Sequence, residues 1–377
     1  MKNPKISDIV GIIAKMAPSG LAESWDNSGL QLGDPSAMVS RIMVSLDATM
    51  ATIQSALACD CQLLISHHPL IFNAPKSISA TTPQGACIHA AIRGGLSIIS
   101  MHTSYDCAEG GLNDLLARRI GLSACSPLQV TSVRELVKLA VYVPGEHLER
   151  LRLALLPHSE KLGAYSGCSF AAPGQGTFTP LDGAHPFVGT VGSREMVDEQ
   201  RLELLLDRAA LPRAIKSLLA AHPYEEPAYD IYPLLNEGRK LGLGRVGRLP
   251  EAVSLAGFAE RLSRDLAAPG LRFVGNPEAR VSKVALCGGS GASLMRAAVR
   301  AGADVLVSGD IKYHDARDAE NLGLALVDAG HFATEIIMVD GVTERLGRML
   351  AEAGYAECGV VPCCVENDPF RCVSQST

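Results

Sequence analysis

The chain has 377 residues, of which 47% are hydrophobic and 20% charged, with a formal net charge of -6. That length exceeds one ordinary core and implies about two or three domains, and the composition excludes an intrinsically disordered chain. No Lys/Arg block provides a phosphate-backbone footprint, so a nucleic-acid polymer is not an expected partner, although a single nucleotide stays open.

At the N-terminus, Ile6, Ile9, Ile12 and Ile13 recur at helical spacing, with Ser7 and Asp8 as caps. Asp8 and Lys15 interrupt the apolar residues, which argues against a signal peptide. No segment approaches the roughly 18 apolar residues of a membrane span, so a cytoplasmic location without a membrane partner is expected. The 11 cysteines are odd in number, irregularly spaced and free of any CxxC pair, which fits free thiols better than a disulfide framework.

Residues 1–128 alternate strand and helix patterns. The runs RIMVSLDAT (41–49), CQLLISHHP (61–69) and LSIISMHTSYD (96–106) each end in polar residues. Such runs suggest buried strands with a site at their carboxyl ends. Residues 129–238 differ in texture. A period-two strand (137–144), an amphipathic helix (146–156), a Gly- and aromatic-rich stretch and a further strand and helix give the order β-α-β-β-α-β. A ferredoxin-like α+β domain inserted into a loop of the outer fold is therefore expected. Residues 239–377 return to the α/β texture, with strands at VSKVALCGGSG (281–291) and DVLVSGDIKYHDA (304–316) and a strand-turn-helix at 325–346.

Three groups carry chemistry. His67-His68 follows an apolar strand, and a turn at Pro69 can bring both rings to one cavity; two loop histidines is the plainer reading. His102 and Asp106 end the next such run, where Asp106 suits a divalent ion and His102 suits ligation, support of a ligand, or substrate binding. His331 and Glu335, four apart at a helix start after Gly330, reach one point from one helix face. Three histidines and two carboxylates favour Zn, Fe or Mn, and five donors exceed the needs of one tetrahedral ion. Two ions sharing a bridging carboxylate satisfy that count and would clamp substrate oxygens. Asp26, Asn27, Asp47, Asp310 and His314 are weaker candidates for the same pocket, with turn or capping roles as the alternative. The CGGSG turn (287–291) resembles an anion-cradling turn without the P-loop lysine. Trp25 is expected to pack rather than stack.

The segments SWDNSGLQLGDP (24–35), LLISHHPLIF (63–72), HTSYDCAEGGLNDLLA (102–117), VALCGGSG (284–291), SGDIKYHDA (308–316) and GHFATE (330–335) together resemble the Nif-three-like dinuclear metal-centre family, also called the GTP cyclohydrolase type-two family. GAYSGCSF, GQGTF, GAHPFVG, VGSREMVDE and HPYEEPAYDIYPL resemble the insert of its longer bacterial members. The resemblance implies a two-lobed α/β fold, formed by 1–128 and 239–377 and interrupted by a PII-like insert at 129–238. It also implies two divalent ions (Zn, Fe or Mn) held by His67, His68, Asp106, His331 and Glu335, with His102 beside them, and a toroidal homohexamer. The reaction expected on that basis is metal-dependent hydrolysis of a ring C-N bond in a small, nucleotide-like substrate. In it His102 or His314 would move protons, and Asp310, Lys312, Gly288 and Gly289 would contact substrate, with Arg317 a further anion contact. The alternative is a non-enzymatic metal-sensing or regulatory scaffold whose insert binds a small molecule or protein partner.

Overall fold

The computed structural model describes residues 3–372. The chain divides into two compact units, Met1–Ser132 with Leu241–Thr377, and Val133–Lys240. Its strands, in chain order, are β1 (Gly29–Leu32), β2 (Arg41–Ser45), β3 (Leu63–Ser66), β4 (Ser97–Ser100), β5 (Ser123–Val133), β6 (Leu136–Pro144), β7 (Ser169–Phe178), β8 (Glu195–Asp207), β9 (Tyr229–Pro233), β10 (Lys240–Ser254), β11 (Arg272–Val274), β12 (Arg280–Ser290), β13 (Val305–Gly309), β14 (Ala325–Asp328) and β15 (Gly359–Pro362). The mixed α/β class expected from the sequence is the one found.

The first unit holds two sheets. One has the order β1-β4-β3-β2-β15, and the other β11-β14-β13-β12-β10-β5. In the first, β15, β2, β3 and β4 are mutually parallel. In the second, β12, β13 and β14 are parallel. Parallel strands are covered on both faces, so they read as unbroken apolar runs. β3 is buried throughout, and its side chains alternate between two cores. Leu63 and Ile65 pack with the helices Ile6–Met16 and Ile337–Glu352, while Leu64 faces Ile53 and Ile88 of the helices Met50–Ala58 and Pro83–Arg93. β13 does the same, with Val305 and Val307 on the Phe258 side and Leu306 on the Met295 side. Each such fully buried side chain contributes about 1.5–3 kcal/mol by leaving water.

The helix Leu112–Ile120 belongs to both lobes of this unit. Leu112 packs in the first lobe's core, and Leu116 and Ile120 pack in the second. Asn113, fully buried on the same helix, donates to the Asp106 carbonyl (3.0 Å) and accepts from the Gly288 N–H (2.9 Å). The helix ends at Gly121, whose φ of +79° closes the αL cap. The carboxyl ends of the two parallel sets are thereby held together.

In the second unit, β6, the helix Leu148–Leu155, β7, β8, the helix Leu211–Ala221 and β9 follow the chain order of a ferredoxin-like unit. The antiparallel sheet has the order β7-β8-β6-β9. Along β6, Val137, Leu139, Val141 and Val143 enter the core at period two, with Leu202, Leu204 and Leu206 of β8 beside them. Leu151, Leu155, Ala214 and Leu218 of the two helices close that core. The division between the units falls at Lys240, within the Gly-rich run 238–247, most of which opens the long strand β10. Gly244 permits this at φ +64°.

Candidate metal centre

His67, His68, His102, Asp106, His331 and Glu335 all follow the carboxyl end of a parallel strand, the position at which open α/β sheets place ligands. Past β3, the N–H groups of His67 and His68 donate to the Leu46 carbonyl at 3.1 and 2.9 Å, which turns the chain after Ser66. Two strand-end serines fix the result, Ser100 donating to the His67 carbonyl and Ser66 to the His68 carbonyl, each at 2.8 Å. Past β4, His102 precedes the short helix Thr103–Cys107, which carries Asp106. Past β14, Gly330 at φ +86° starts the helix His331–Glu335. Asp310, next to the end of β13, takes φ +57°, a conformation rare outside glycine, and its carboxylate meets His331.

The ring hydrogen bonds determine which nitrogens face the centre. His67 Nδ1 lies 3.0 Å from the Met101 carbonyl. The Nδ1 atoms of His68, His102 and His331 lie 2.8, 2.8 and 2.7 Å from carboxylate oxygens of Asp47, Asp26 and Asp310. Those oxygens accept, so all four Nδ1 atoms carry the proton and donate. All four Nε2 atoms are left for the centre, the tautomer and ring orientation that metal-bound imidazoles use.

These atoms converge on Glu335. Its Oε1 is 3.7 Å from His67 Nε2, and its Oε2 is 3.0 Å from His68 Nε2 and 2.9 Å from His331 Nε2. Asp106 Oδ1 is 3.6 Å from His67 Nε2. His68 and His331 approach one another at 3.3 Å through their Nε2 atoms. His67 Nε2, Asp106 Oδ1 and Glu335 Oε2 are buried with no hydrogen bond of acceptable geometry. Orphaned polar atoms of this kind are costly unless a cation or proton lies between them. The donor set of imidazoles and carboxylates therefore fits a divalent ion of the zinc, iron or manganese type. Among the described residues, two groups offer three ligand atoms within 4.8 Å of one another, His67-His68-His102 and His68-His331-Glu335.

The electrostatics agree. Burial works against charge on His68, but the hydrogen bond to Asp47 and the Glu335 carboxylate 3.0 Å away push its pKa up to about 10. Glu335 first, and Asp310 after it, raise His331 to about 9. Burial opposes ionisation of Glu335, yet the charge of His67 and the close approach of the His331, His67 and His68 rings hold it well below the usual carboxylate range. Burial lifts Asp106 to about 6 against the pull of His67. Asp26 is held well down despite burial, by His102, Thr103 and Ser28. The pocket thus draws positive charge to one point, as protons or as metal.

The structure brings together His67, His68, His102, Asp106, His331 and Glu335, and separates or reassigns the others. Asp310, expected to contact substrate, bonds to His331 and also lines the cavity beside the centre. Gly288 and Gly289 are corrected from anion contacts to packing positions. The Gly288, Gly289 and Gly291 N–H groups already donate to Asn113, Thr334 and Ser308. A Cβ on Gly289, which sits at φ +60°, would meet Glu335 Oε1, so the turn leaves room for the carboxylate. His314, expected to move protons, is not among the residues brought to the centre. It is exposed on the helix Tyr313–Leu322, edge-on to Tyr313 at 5.4 Å, and does not line the cavity beside the centre. Arg317 is bonded to Glu320 and Tyr313 on that helix. Lys312 does line the cavity, a space of about 1210 Å³ bounded by Asp47, His68, His331 and the segment 366–370. Trp25, expected to pack rather than stack, is 57% exposed and meets the Phe72 and His102 rings at 5.9 and 5.8 Å.

Other contributors escape a reading of the sequence. Asp26 and Asp47 stand out there only as pocket-lining candidates, although a carboxylate ending a strand-turn beside a histidine cluster is a usable signal for a supporting partner. Glu366 accepts from the N–H groups of Leu46 and Asp47 at 2.8–3.1 Å and so fixes the loop that orients His68. No local pattern marks it, because its partners lie about 320 residues earlier. Arg272 lines the cavity while paired to Asp328 at 2.8 Å.

Fold and site together define an α/β protein with a histidine- and carboxylate-rich centre, suited to divalent cations, at the facing ends of two parallel strand sets. Residues 4–369 match the family model described as Duf34/NIF3 (NGG1p interacting factor 3), and the chain belongs to that family. It is 38% identical over 371 residues to the GTP cyclohydrolase 1 type 2 homolog of Halalkalibacterium halodurans, covering 98% of this chain and 99% of that protein. It is 42% identical over 342 residues to the protein of the same name in Bacillus subtilis, covering 90% and 91% of the two. The solved Bacillus cereus protein related to NIF3 superposes with a TM-score of 0.91 at 38% identity, over 99% of this chain and 100% of that one. The resemblance read from the sequence motifs is thus the family found.

Proposed function

We propose that the protein holds two divalent metal ions and uses them to hydrolyse a ring C-N bond in a nucleotide-like substrate. The observation that carries this reading is the convergence of Nε2 atoms and carboxylates on Glu335, with each Nδ1–H anchored behind its ring. Glu335 divides the donors. Oε1 faces His67, with Asp106 beyond it, and Oε2 faces His68 and His331. A carboxylate so placed between two donor sets favours a bridging role over service to a single ion. His67, Asp106 and Glu335 would hold one ion, and His68, His331 and Glu335 the other. What such ions supply when bound is Lewis acidity, which makes water more acidic and polarises substrate oxygens.

The protein's own groups would do the rest. His102 is held by Asp26 through Nδ1, so Nε2 is the atom free to take a proton from water and return it to the departing nitrogen. In the balanced step, the water oxygen bonds to the ring carbon, the C-N bond breaks and the nitrogen gains the proton. The cavity beside the centre carries five carboxylates (Asp47, Asp310, Asp328, Glu366, Asp368) against Arg272 and Lys312. An anionic substrate would therefore depend on the charge the centre holds, with Lys312 as a cationic partner on the wall. The names of the relatives favour GTP as the first substrate to try.

Protein purified without chelator would be assayed for GTP ring opening by ultraviolet absorbance and for bound metal, alongside Glu335→Gln. Loss of metal and turnover together is expected. Turnover that persists in metal-free protein would sink the hydrolytic reading.

A further inference from the structure

A second cavity, of about 1040 Å³, lies wholly within the unit Val133–Lys240 and takes no part in the metal centre. Its floor is the end of the antiparallel sheet, with Tyr142, Glu199 and Arg201, and its roof is the 179–188 loop. The roof is built rather than loose. The His185 N–H donates to Glu225 Oε1 at 2.8 Å, the Gly192 N–H donates to the Pro180 carbonyl at 2.8 Å, and Phe187 packs between Tyr224 (6.1 Å) and His147 (5.4 Å). Tyr224 is fixed from behind. Its N–H donates to His222 Nδ1 at 3.1 Å, and His222 Nε2–H donates to the Tyr142 carbonyl at 2.9 Å, which requires neutral imidazole. Burial favours that neutral form.

The walls combine aromatic faces with unbalanced negative charge. Phe178, Phe187 and Tyr224 stand together, the first and last with centroids 6.2 Å apart. Four carboxylates line the space, Asp182, Glu199, Glu225 and Glu226, against the single cation Arg201. Arg201 is already paired to Glu203 at 3.0 Å and lies over the Tyr232 ring. Glu199 is half-buried and has no ion pair among the described residues. A Cβ at Gly176 would collide with its carboxylate, so the glycine keeps that carboxylate's place open. The Tyr224 hydroxyl beside it is buried, and burial together with the Glu199 carboxylate pushes its pKa up, so it stands as a neutral neighbour of that carboxylate. Aromatic faces attract cations through their quadrupole, and desolvation strengthens the effect.

We infer that this cavity is a binding site for a small organic cation with a flat apolar body, whose positive group sits by Glu199 and whose body lies against Phe187 and Tyr224. The site is separate from the metal chemistry and does not depend on it. Neutral aromatic molecules would gain the apolar contact but leave the Glu199 charge without a counter-ion beyond the neutral Tyr224 hydroxyl, and anions would meet the carboxylates.

The test is calorimetry on the full-length protein with benzyltrimethylammonium, benzyl alcohol and benzoate, which share a ring and differ in charge. One saturable site per chain for the cation is expected, with benzoate not bound and benzyl alcohol weaker by about tenfold or more. Glu199→Gln and Phe187→Ala should each weaken the cation by about tenfold, with melting temperature and bound metal unchanged. No saturable cation binding, or equal binding of all three probes, would overturn the inference. So would folded variants that bind the cation as the parent does. Self-association through this loop, lost in Phe187→Ala and with no cation binding, would reassign the cavity to a contact between copies.

Discussion

Protons would compete with the proposed metal for the same nitrogens, and that competition would set a measurable pH dependence. Without a cation, His68 titrates at about 10 and His331 at about 9, because Asp47, Asp310 and Glu335 surround them with negative charge. Each Nε2 must lose its proton before it can ligate. At pH 7 both rings carry that proton, so filling the centre releases about two protons per chain from this pair. The apparent Kd for zinc or manganese should then fall about a hundredfold per pH unit between about pH 6.5 and 8.5, and Asp106, lifted to about 6 by burial, steepens the slope below that window. A competing fluorescent chelator at fixed ionic strength measures the affinity, and calorimetry in buffers of different ionisation enthalpy counts the protons. The sign for stability follows from the same shifts. A raised folded pKa stabilises the metal-free protein fully below the usual histidine value near 6.5, and the contribution is lost as pH rises through 9 to 10. Chelated protein should therefore melt at progressively lower temperature from pH 7 to 10. A metal affinity flat with pH, with a proton count near zero, would refute the reasoning by showing that burial keeps these rings neutral.

Asp310→Asn and Asp47→Asn should each weaken metal binding about 10–100-fold while leaving the fold intact, as measured by chelator competition, because the histidine behind each loses its anchoring carboxylate. Gly289→Ala should remove metal and destabilise the protein by about 1–3 kcal/mol, since φ +60° and the Glu335 carboxylate both oppose a Cβ; denaturant unfolding and metal analysis read the two effects. Glu366→Ala should cost about 1–3 kcal/mol by leaving the Leu46 and Asp47 N–H groups without their acceptor, and should weaken metal binding through Asp47 and His68; an unchanged metal Kd would separate the loop from the centre.

What was legible in the sequence followed from local periodicity. Apolar runs such as LLIS and SIIS, ending in polar residues, marked buried parallel strands because both their faces are covered. The strand ends then exposed His67, His68 and Asp106 as candidates, and the four-residue spacing of His331 and Glu335 on one helix did the same without any long-range information. The Nδ1 partners were not legible as such. Asp26 reaches His102 across 76 residues, and Asp47 and Asp310 each reach a histidine 21 residues away, distances no local pattern encodes. The glycine turn at 287–291 misleads for a related reason. Its composition fits an anion cradle, but only the packed lobes reveal that its N–H groups are already bonded to Asn113, Thr334 and Ser308.

The central claim is tested most directly by elemental analysis of wild type and Glu335→Gln, both purified without chelator and reconstituted with zinc, iron(II) or manganese. The account predicts two ions per wild-type chain and their loss from the variant, with the far-ultraviolet spectrum unchanged. A wild-type protein that holds no metal after reconstitution, or a variant that keeps both ions, would contradict it.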